Sequence, residues 1–324
     1  MIFHDCERYK YSKMIDIVIA TFNPSIYLLE QIDSILSQKS IDKVARIIIV
    51  DDDSVDKSYL TLALNRDPRI EFYKNISGRH GAKSNFEYGL SLTSADFIMT
   101  CDQDDVWLPN KIGISVDAIS KLDKNYPCLV STDVTVVDSK LSVIHDSFLN
   151  YKGVKLPQDA QPNKVLFRNI FPGCAMIFNR KLLDVALPIP DEAIMHDWWL
   201  ISVASLIGQT SYCLEPTMLY RQHDSNCIGA KQNSLLSAFK ARSIMDNLSL
   251  LEKHYINVKK QNLAIYNRFM LEENKSVDAA ELEGFLHTGG IINESLKFYN
   301  CLRMGFLKSF LYFCFISYKK IFRQ

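Results

Sequence analysis

Short apolar runs and helical patterns alternate through the first third of the chain. Residues 15–20 form a run typical of a buried strand, and residues 26–38 follow with Ile26, Leu28, Leu29, Ile32, Ile35 and Leu36 at helical spacing. Residues 47–50 are continuous in Ile and Val, as parallel strands covered on both faces tend to be. A short helix is predicted at 58–64, a strand at 70–73, a helix at 84–92 and a fourth strand at 97–101. This βαβαβαβ rhythm with short loops predicts an α/β fold: an open, mainly parallel sheet covered by helices. Ligands of such sheets bind outside the carboxyl ends of the strands, which directs attention to the polar residues following each one.

A helix with proline in its first turn is predicted at 109–122, with further strands at 129–137, 175–179 and 218–220, and a helix at 198–207. Beyond about residue 230 strand-like runs stop. Helical patterns continue at 235–254, 261–272, 279–286 and 292–318. The expected organisation is one α/β domain over 1–230 and a helical region over 231–324.

Composition narrows the class. The 48% hydrophobic and 23% charged content is globular, and 37 basic residues balance 37 acidic ones, which argues against a nucleic-acid partner. The first thirteen residues hold no apolar stretch, so no secretory signal is expected. Eight scattered cysteines without a CxxC pair fit neither a zinc site nor a small disulfide scaffold, and predict reduced thiols in a cytoplasmic protein.

The candidate chemistry lies at the strand ends. The first strand ends in Thr21-Phe22-Asn23-Pro24, with no GxGxxG turn of a Rossmann dehydrogenase. The second ends in Asp51-Asp52-Asp53-Ser54, where a carboxylate could accept from a nucleobase or ribose, or simply form an acidic turn. The fourth ends in Asp102-Gln103-Asp104-Asp105. In an extended chain Asp102 and Asp104 project to one side and could grip one divalent cation, Mg²⁺ or Mn²⁺, which in turn holds a diphosphate. His223 could be a third ligand, and Arg221 could hold the diphosphate with its fork of donors. Asn85 sits where a helix begins, suited to anion contacts or to capping. Gly173 would leave room for an acceptor sugar. Trp107, Trp198 and Trp199 could stack on sugar faces or serve as core.

Six segments occur in an order that resembles family 2 glycosyltransferases. They are 17–23 (IVIATFN), 49–54 (IVDDDS), 85–88 (NFEY), 102–107 (DQDDVW), 196–199 (HDWW) and 220–223 (YRQH). The resemblance spans about Asp16 to Asn226 and is strongest to the rhamnosyltransferase-like members that build bacterial surface polysaccharides. It departs at Asp53, where the family more often has glycine. The resemblance implies a GT-A fold and an inverting transfer. It also implies a nucleotide-sugar donor, here dTDP-rhamnose, and a lipid-linked oligosaccharide acceptor. By the same resemblance Thr21 and Asn23 line the nucleotide pocket, Asp52 meets base or ribose, Asp102 faces ribose or metal, Asp104 is the principal metal ligand and Asp197 is the general base. Inversion makes sense of a single carboxylate that takes the acceptor's proton, help typically worth about 10²- to 10⁴-fold. Asp197 reads equally as an N-cap of the following helix.

Other readings remain open. The donor could be another sugar, such as a UDP-hexose. A sugar nucleotidyltransferase would carry a glycine-rich basic loop after the first strand, which Thr21-Phe22-Asn23-Pro24 is not. A non-catalytic nucleotide-sugar-binding module would bind without turnover. The tail, residues 304–318, is rich in Phe, Leu, Ile and Tyr and ends in Lys319, Lys320 and Arg323. Interrupted by Lys308, it falls short of the roughly 20 apolar residues of a membrane span. It reads either as an interfacial helix at the inner face of the membrane or as a helix packed on its own domain.

Overall fold

The computed structural model describes residues 14–223 and 244–269. Two compact units divide them. The first contains 14–153, 171–189 and 195–223, and the second contains 154–170, 190–194 and 244–269. The boundary expected near residue 230, the helices expected beyond 269 and the basic tail lie outside the described residues. No helix among the described residues is long and apolar enough to cross a membrane.

The first unit opens as the hydrophobic pattern dictates, with β1 (Ile15–Thr21), α1 (Ile26–Leu36), β2 (Val44–Asp51), α2 (Ser58–Leu64), β3 (Ile70–Lys74), α3 (Ala82–Ser91) and β4 (Phe97–Asp102). These four strands pair in parallel in the order β3-β2-β1-β4. The chain continues through β5 (Val106–Trp107), α4 (Lys111–Ile119), β6 (Cys128–Val137), β7 (Val143–His145) and α5 (Phe148–Tyr151). After α6 (Pro162–Val165), in the second unit, come β8 (Met176–Asn179), α7 (Arg180–Ala186), α8 (His196–Ile207) and β9 (Gln209–Arg221).

Beyond β4 the sheet is mixed rather than parallel. β8 runs antiparallel to both β4 and β6, β9 runs parallel to β6, and β5 is antiparallel to β9. β9 is much longer than the strand expected at 218–220. Its first half is only partly buried and lacks an apolar run, and its pairing with β6 is interrupted after Thr132. Two-residue β5 is too short to leave a periodic signal.

Register places the site. Thr21 lies opposite Asp51 and Ala20 opposite Asp102, so β1, β2 and β4 end level along one edge. β2 lies on one side of β1 and β4 on the other, which makes the β1/β4 gap the topological switch point. The strands themselves are apolar on both faces, as parallel strands under helices require. The exception is Asp16, fully buried in β1 and satisfied by Arg46 at 2.7 Å and by the Ser94 and Ala95 N–H groups. In the second unit, α9 (Ile244–Phe269) buries Val258 and Ile265, and Asn262 Nδ2 donates to Leu166 O at 3.1 Å.

Candidate active site

The ends of β1 and β2 are tied together by their own polar side chains. Thr21 Oγ1 donates to Asp51 Oδ1 at 3.1 Å, Asp51 Oδ2 accepts the Ser54 N–H at 2.9 Å, and Ser54 Oγ closes on Asp51 Oδ1. Asn85 Nδ2 reaches up from α3 to Thr21 O and Val50 O. Thr21, Asp51 and Asn85 were each expected in the nucleotide pocket. The structure brings them together, but buried and facing one another, because strand-end carbonyls removed from water need donors. Asn23 stands exposed at the mouth with φ 44°, its N–H on Ser54 Oγ and its Oδ1 accepting from Val55 N.

Asp52 lies beside this staple at the start of α3. Its carboxylate accepts the Gly81 N–H at 2.7 Å and meets His80 Nδ1 at 2.9 Å. The His80 side chain is 70% exposed, which leaves the imidazole facing solvent while tethered to Asp52. Asp53 has φ 65°, the left-handed region that explains glycine at this place in relatives. Aspartate tolerates that conformation better than most residues, and it pairs with Lys74 at 2.9 Å, which pulls its carboxyl below the ordinary range.

The chain does not stay extended after β4. It turns at Gln103 and Asp104, so carboxylate spacing differs from the alternation expected of a strand. Gln103 fastens the turn to β1, accepting the Phe22 N–H at 3.0 Å and donating to Phe22 O at 3.2 Å. Asp102 comes close to Asp105 and Cys174, with ligand atoms of all three within 4.8 Å of one another. Asp104 turns to His223, with Oδ2 at 2.8 Å from Nε2. Burial first, then Asp104 and Asp197, pushes Asp102 up to about 7. Burial and the same neighbours push Asp105 well above the carboxylate range, and its Oδ2 has no hydrogen-bond partner. Crowded carboxylates of this kind, beside an imidazole, suit a hard divalent cation. Asp105 and Cys174 were not anticipated as part of it. Cys174 gave no sequence signal, because a lone cysteine on a turn has no ligand spacing.

Arg221 takes a different part from the diphosphate fork expected of it. It is only 2% exposed. Its Nε donates to Asp104 O at 2.8 Å, its Nη1 to Ser139 O at 3.0 Å and its Nη2 to Glu30, while the guanidinium lies 4.0 Å from the Tyr27 ring centroid. Its backbone N–H donates to Asp105 Oδ1 at 2.9 Å. Arg221 therefore clamps the Asp104–Asp105 turn to α1 and β9.

Asp197 lies in the first turn of α8 and is not its N-cap. The helix begins at His196, Met195 occupies the cap, and Asp197 Oδ1 accepts the Trp198 N–H at 2.7 Å. Gly173 packs directly against it. A Cβ built on Gly173 would stand 2.9 Å from Asp197 Cβ and 3.2 Å from Oδ2. The Gly173 carbonyl is held by Thr100 Oγ1 of β4, which ties this turn to the same strand that carries Asp102. His196 stacks on Phe86 at 3.9 Å, with neither ring nitrogen hydrogen-bonded, and burial lowers its pKa. Trp199 is fully buried with Nε1 on Ala186 O, and Trp198 and Trp107 are buried as well. These indoles are core, not the sugar platforms or acceptor contacts expected of them, because both faces of α8 are enclosed.

An open sheet with acidic groups in place of a glycine-rich turn at its switch point defines a GT-A transferase that works on nucleotide-sugars. The chain belongs to glycosyl transferase family 2, whose sequence profile matches residues 16–185. It is 29% identical over 231 residues to the dTDP-rhamnosyl transferase RfbG of Shigella flexneri, covering 65% of this chain and 74% of that one. It is 25% identical over 174 residues to an Escherichia coli UDP-Glc:alpha-D-GlcNAc-diphosphoundecaprenol beta-1,3-glucosyltransferase, covering 53% and 62%. Among solved structures, Staphylococcus aureus TarS 1-349 with UDP-GlcNAc shares the fold at TM-score 0.54 and 14% identity, covering 89% of this chain and 79% of that one. The Pyrobaculum calidifontis mannosyltransferase PcManGT, in complex with GDP-Man and Mn²⁺, shares it at TM-score 0.51 and 14% identity, covering 97% and 89%.

Proposed function

We propose that the protein transfers rhamnose from dTDP-rhamnose, with inversion, onto a lipid-linked oligosaccharide in the assembly of a cell-surface polysaccharide. The observation that carries the reading is the convergence of Asp102, Asp104 and Asp197, from β4 and α8, at the level ends of β1 and β4. The rhamnosyl donor is supported by the likeness to the Shigella protein, and the lipid-linked acceptor by the likeness to the Escherichia coli one. A UDP-hexose donor is the second reading, favoured by the same Escherichia coli likeness.

The nucleoside diphosphate would enter beside Asn23, the Asp52–His80 pair and the Gln103 turn. Asp104, His223 and Asp102 would hold a divalent ion, Mg²⁺ or Mn²⁺, with Asp105 close behind. That ion supplies charge neutralisation for the departing diphosphate, which removes the need for a general acid. Arg221 keeps the turn in place from behind. Asp197 takes the acceptor hydroxyl's proton as its oxygen bonds to the anomeric carbon and the carbon–diphosphate bond breaks. Gly173 keeps the space beside that carboxylate clear. The enzyme would work in the cytoplasm, peripheral to the inner face of the membrane.

The test is a panel of nucleotide-sugars with purified protein and Mn²⁺. dTDP-rhamnose should raise the melting temperature and be hydrolysed slowly. Selective response to a UDP-hexose would replace the rhamnosyl reading, and binding of either without any turnover would point to a binding module.

A further inference from the structure

Lys111 is fully buried, at the first position of α4. A lysine ordinarily keeps its ammonium in water, and a cation is also misplaced at a helix N-terminus, where the dipole is positive. Its surroundings must compensate. Nζ lies 5.0 Å from the Trp107 ring centroid and donates to Thr217 Oγ1 at 3.2 Å. Thr217 and Thr132 share a 2.6 Å hydroxyl contact, and Thr132 Oγ1 reaches Ala175 O at 3.4 Å. The relay thus runs from the ammonium to the Gly173–Ala175 turn, whose Cys174 meets Asp102 and Asp105. Burial lowers the amine to about 8, with Cys174, Cys101 and Asp105 drawing it back up, so it stays charged at neutral pH. The two thiols are themselves pushed well up by burial and remain uncharged.

We propose that Lys111 is a built-in counter-charge beneath the Asp102–Asp105 turn, a positioning residue that holds the carboxylates together before a divalent ion and sugar diphosphate arrive. This rests on the metal-binding reading above. Its physical consequence has a definite sign. Two positive charges serving one cluster oppose each other, so removing Lys111 should weaken the metal-free protein and tighten the binding of a divalent ion.

The experiment compares wild type, Lys111→Met and Lys111→Arg at neutral pH. Mn²⁺ affinity is read by electron paramagnetic resonance, and melting temperature is recorded with and without Mn²⁺. Lys111→Met should melt lower without Mn²⁺, gain more from Mn²⁺ than wild type does, and bind it about tenfold more tightly, the scale of one neighbouring unit charge. Lys111→Arg, which keeps the charge, should bind Mn²⁺ as wild type does. Equal affinity and equal thermal gain in Lys111→Met and wild type would make Lys111 packing alone and overturn the proposal. Should Lys111→Met fold only with Mn²⁺ present, that result supports it. Should it fold under neither condition, Thr217→Val loosens the ammonium while retaining it, and unchanged Mn²⁺ affinity there overturns the proposal. Failure of wild type to bind Mn²⁺ would sink the metal-binding reading itself, and this one with it.

Discussion

Replacing Gly173 by alanine tests the placement of the general base with a single methyl group. The added carbon would lie 2.9 Å from Asp197 Cβ, 3.2 Å from its Oδ2 and 3.1 Å from His196 Nε2. Comfortable carbon–carbon contact is about 3.5–4.0 Å, so Asp197 must retreat by roughly 0.6–1.1 Å. Its path back is closed by α8, whose Trp198 and Trp199 are buried, and by His196 pressed on Phe86. The strain of such overpacking costs about 1–3 kcal/mol of stability, which the fold should survive. The larger effect falls on the chemistry, since a displacement near 1 Å costs on the order of 10²-fold in rate. Turnover with a soluble acceptor should fall by about that factor in Gly173→Ala. Donor affinity by calorimetry should stay unchanged, because the nucleotide binds at the ends of β1 and β2. A folded Gly173→Ala enzyme with wild-type turnover would refute the placement of Asp197 as base.

Three further outcomes are expected. Asp104→Ala should abolish turnover and Mn²⁺-dependent nucleotide binding together, and full wild-type activity after thorough chelation would count against the cation. Asp197→Asn should lose roughly 10²- to 10⁴-fold in turnover with little change in donor affinity, and loss of donor binding instead would make the residue structural. The third concerns Asp102, raised to about 7 by burial, then by Asp104 and Asp197. The folded metal-free protein holds a proton there that the unfolded chain releases above about pH 4, so its stability should fall as pH rises from about 4 to 7. A cation must displace that proton. Mn²⁺ affinity should climb about tenfold per unit below pH 7 and level off above it, whereas a flat profile below 7 would deny Asp102 a share in the site.

Much of the first half was legible because its strands are buried on both faces. Continuous Ile and Val runs separated by amphipathic helices admit few arrangements, and β1 to β4 formed where the pattern put them. The boundaries drifted where the signal was polar. β9 begins nine residues before the expected strand, and α8 begins two residues before the expected helix, at His196.

Six ordered motifs in the sequence by themselves determined the family, the strand-end location of the site and the acidic chemistry to look for. Only the tertiary structure divided those polar residues by task. Thr21, Asp51 and Asn85 share motifs with Asn23 and Asp52 but face inward, as parallel strands ending level leave buried carbonyls that need local donors. Arg221 is two residues from His223, yet one is sealed behind the turn and the other meets Asp104, because the clamp needs a buried cation where α1 crosses β9. Asp105, Cys174 and Lys111 join the site through a turn and two sheet crossings that no spacing encodes. Local pattern reports which residues are polar. Which of them meet a substrate and which meet one another depends on the register and closure of strands distant in sequence.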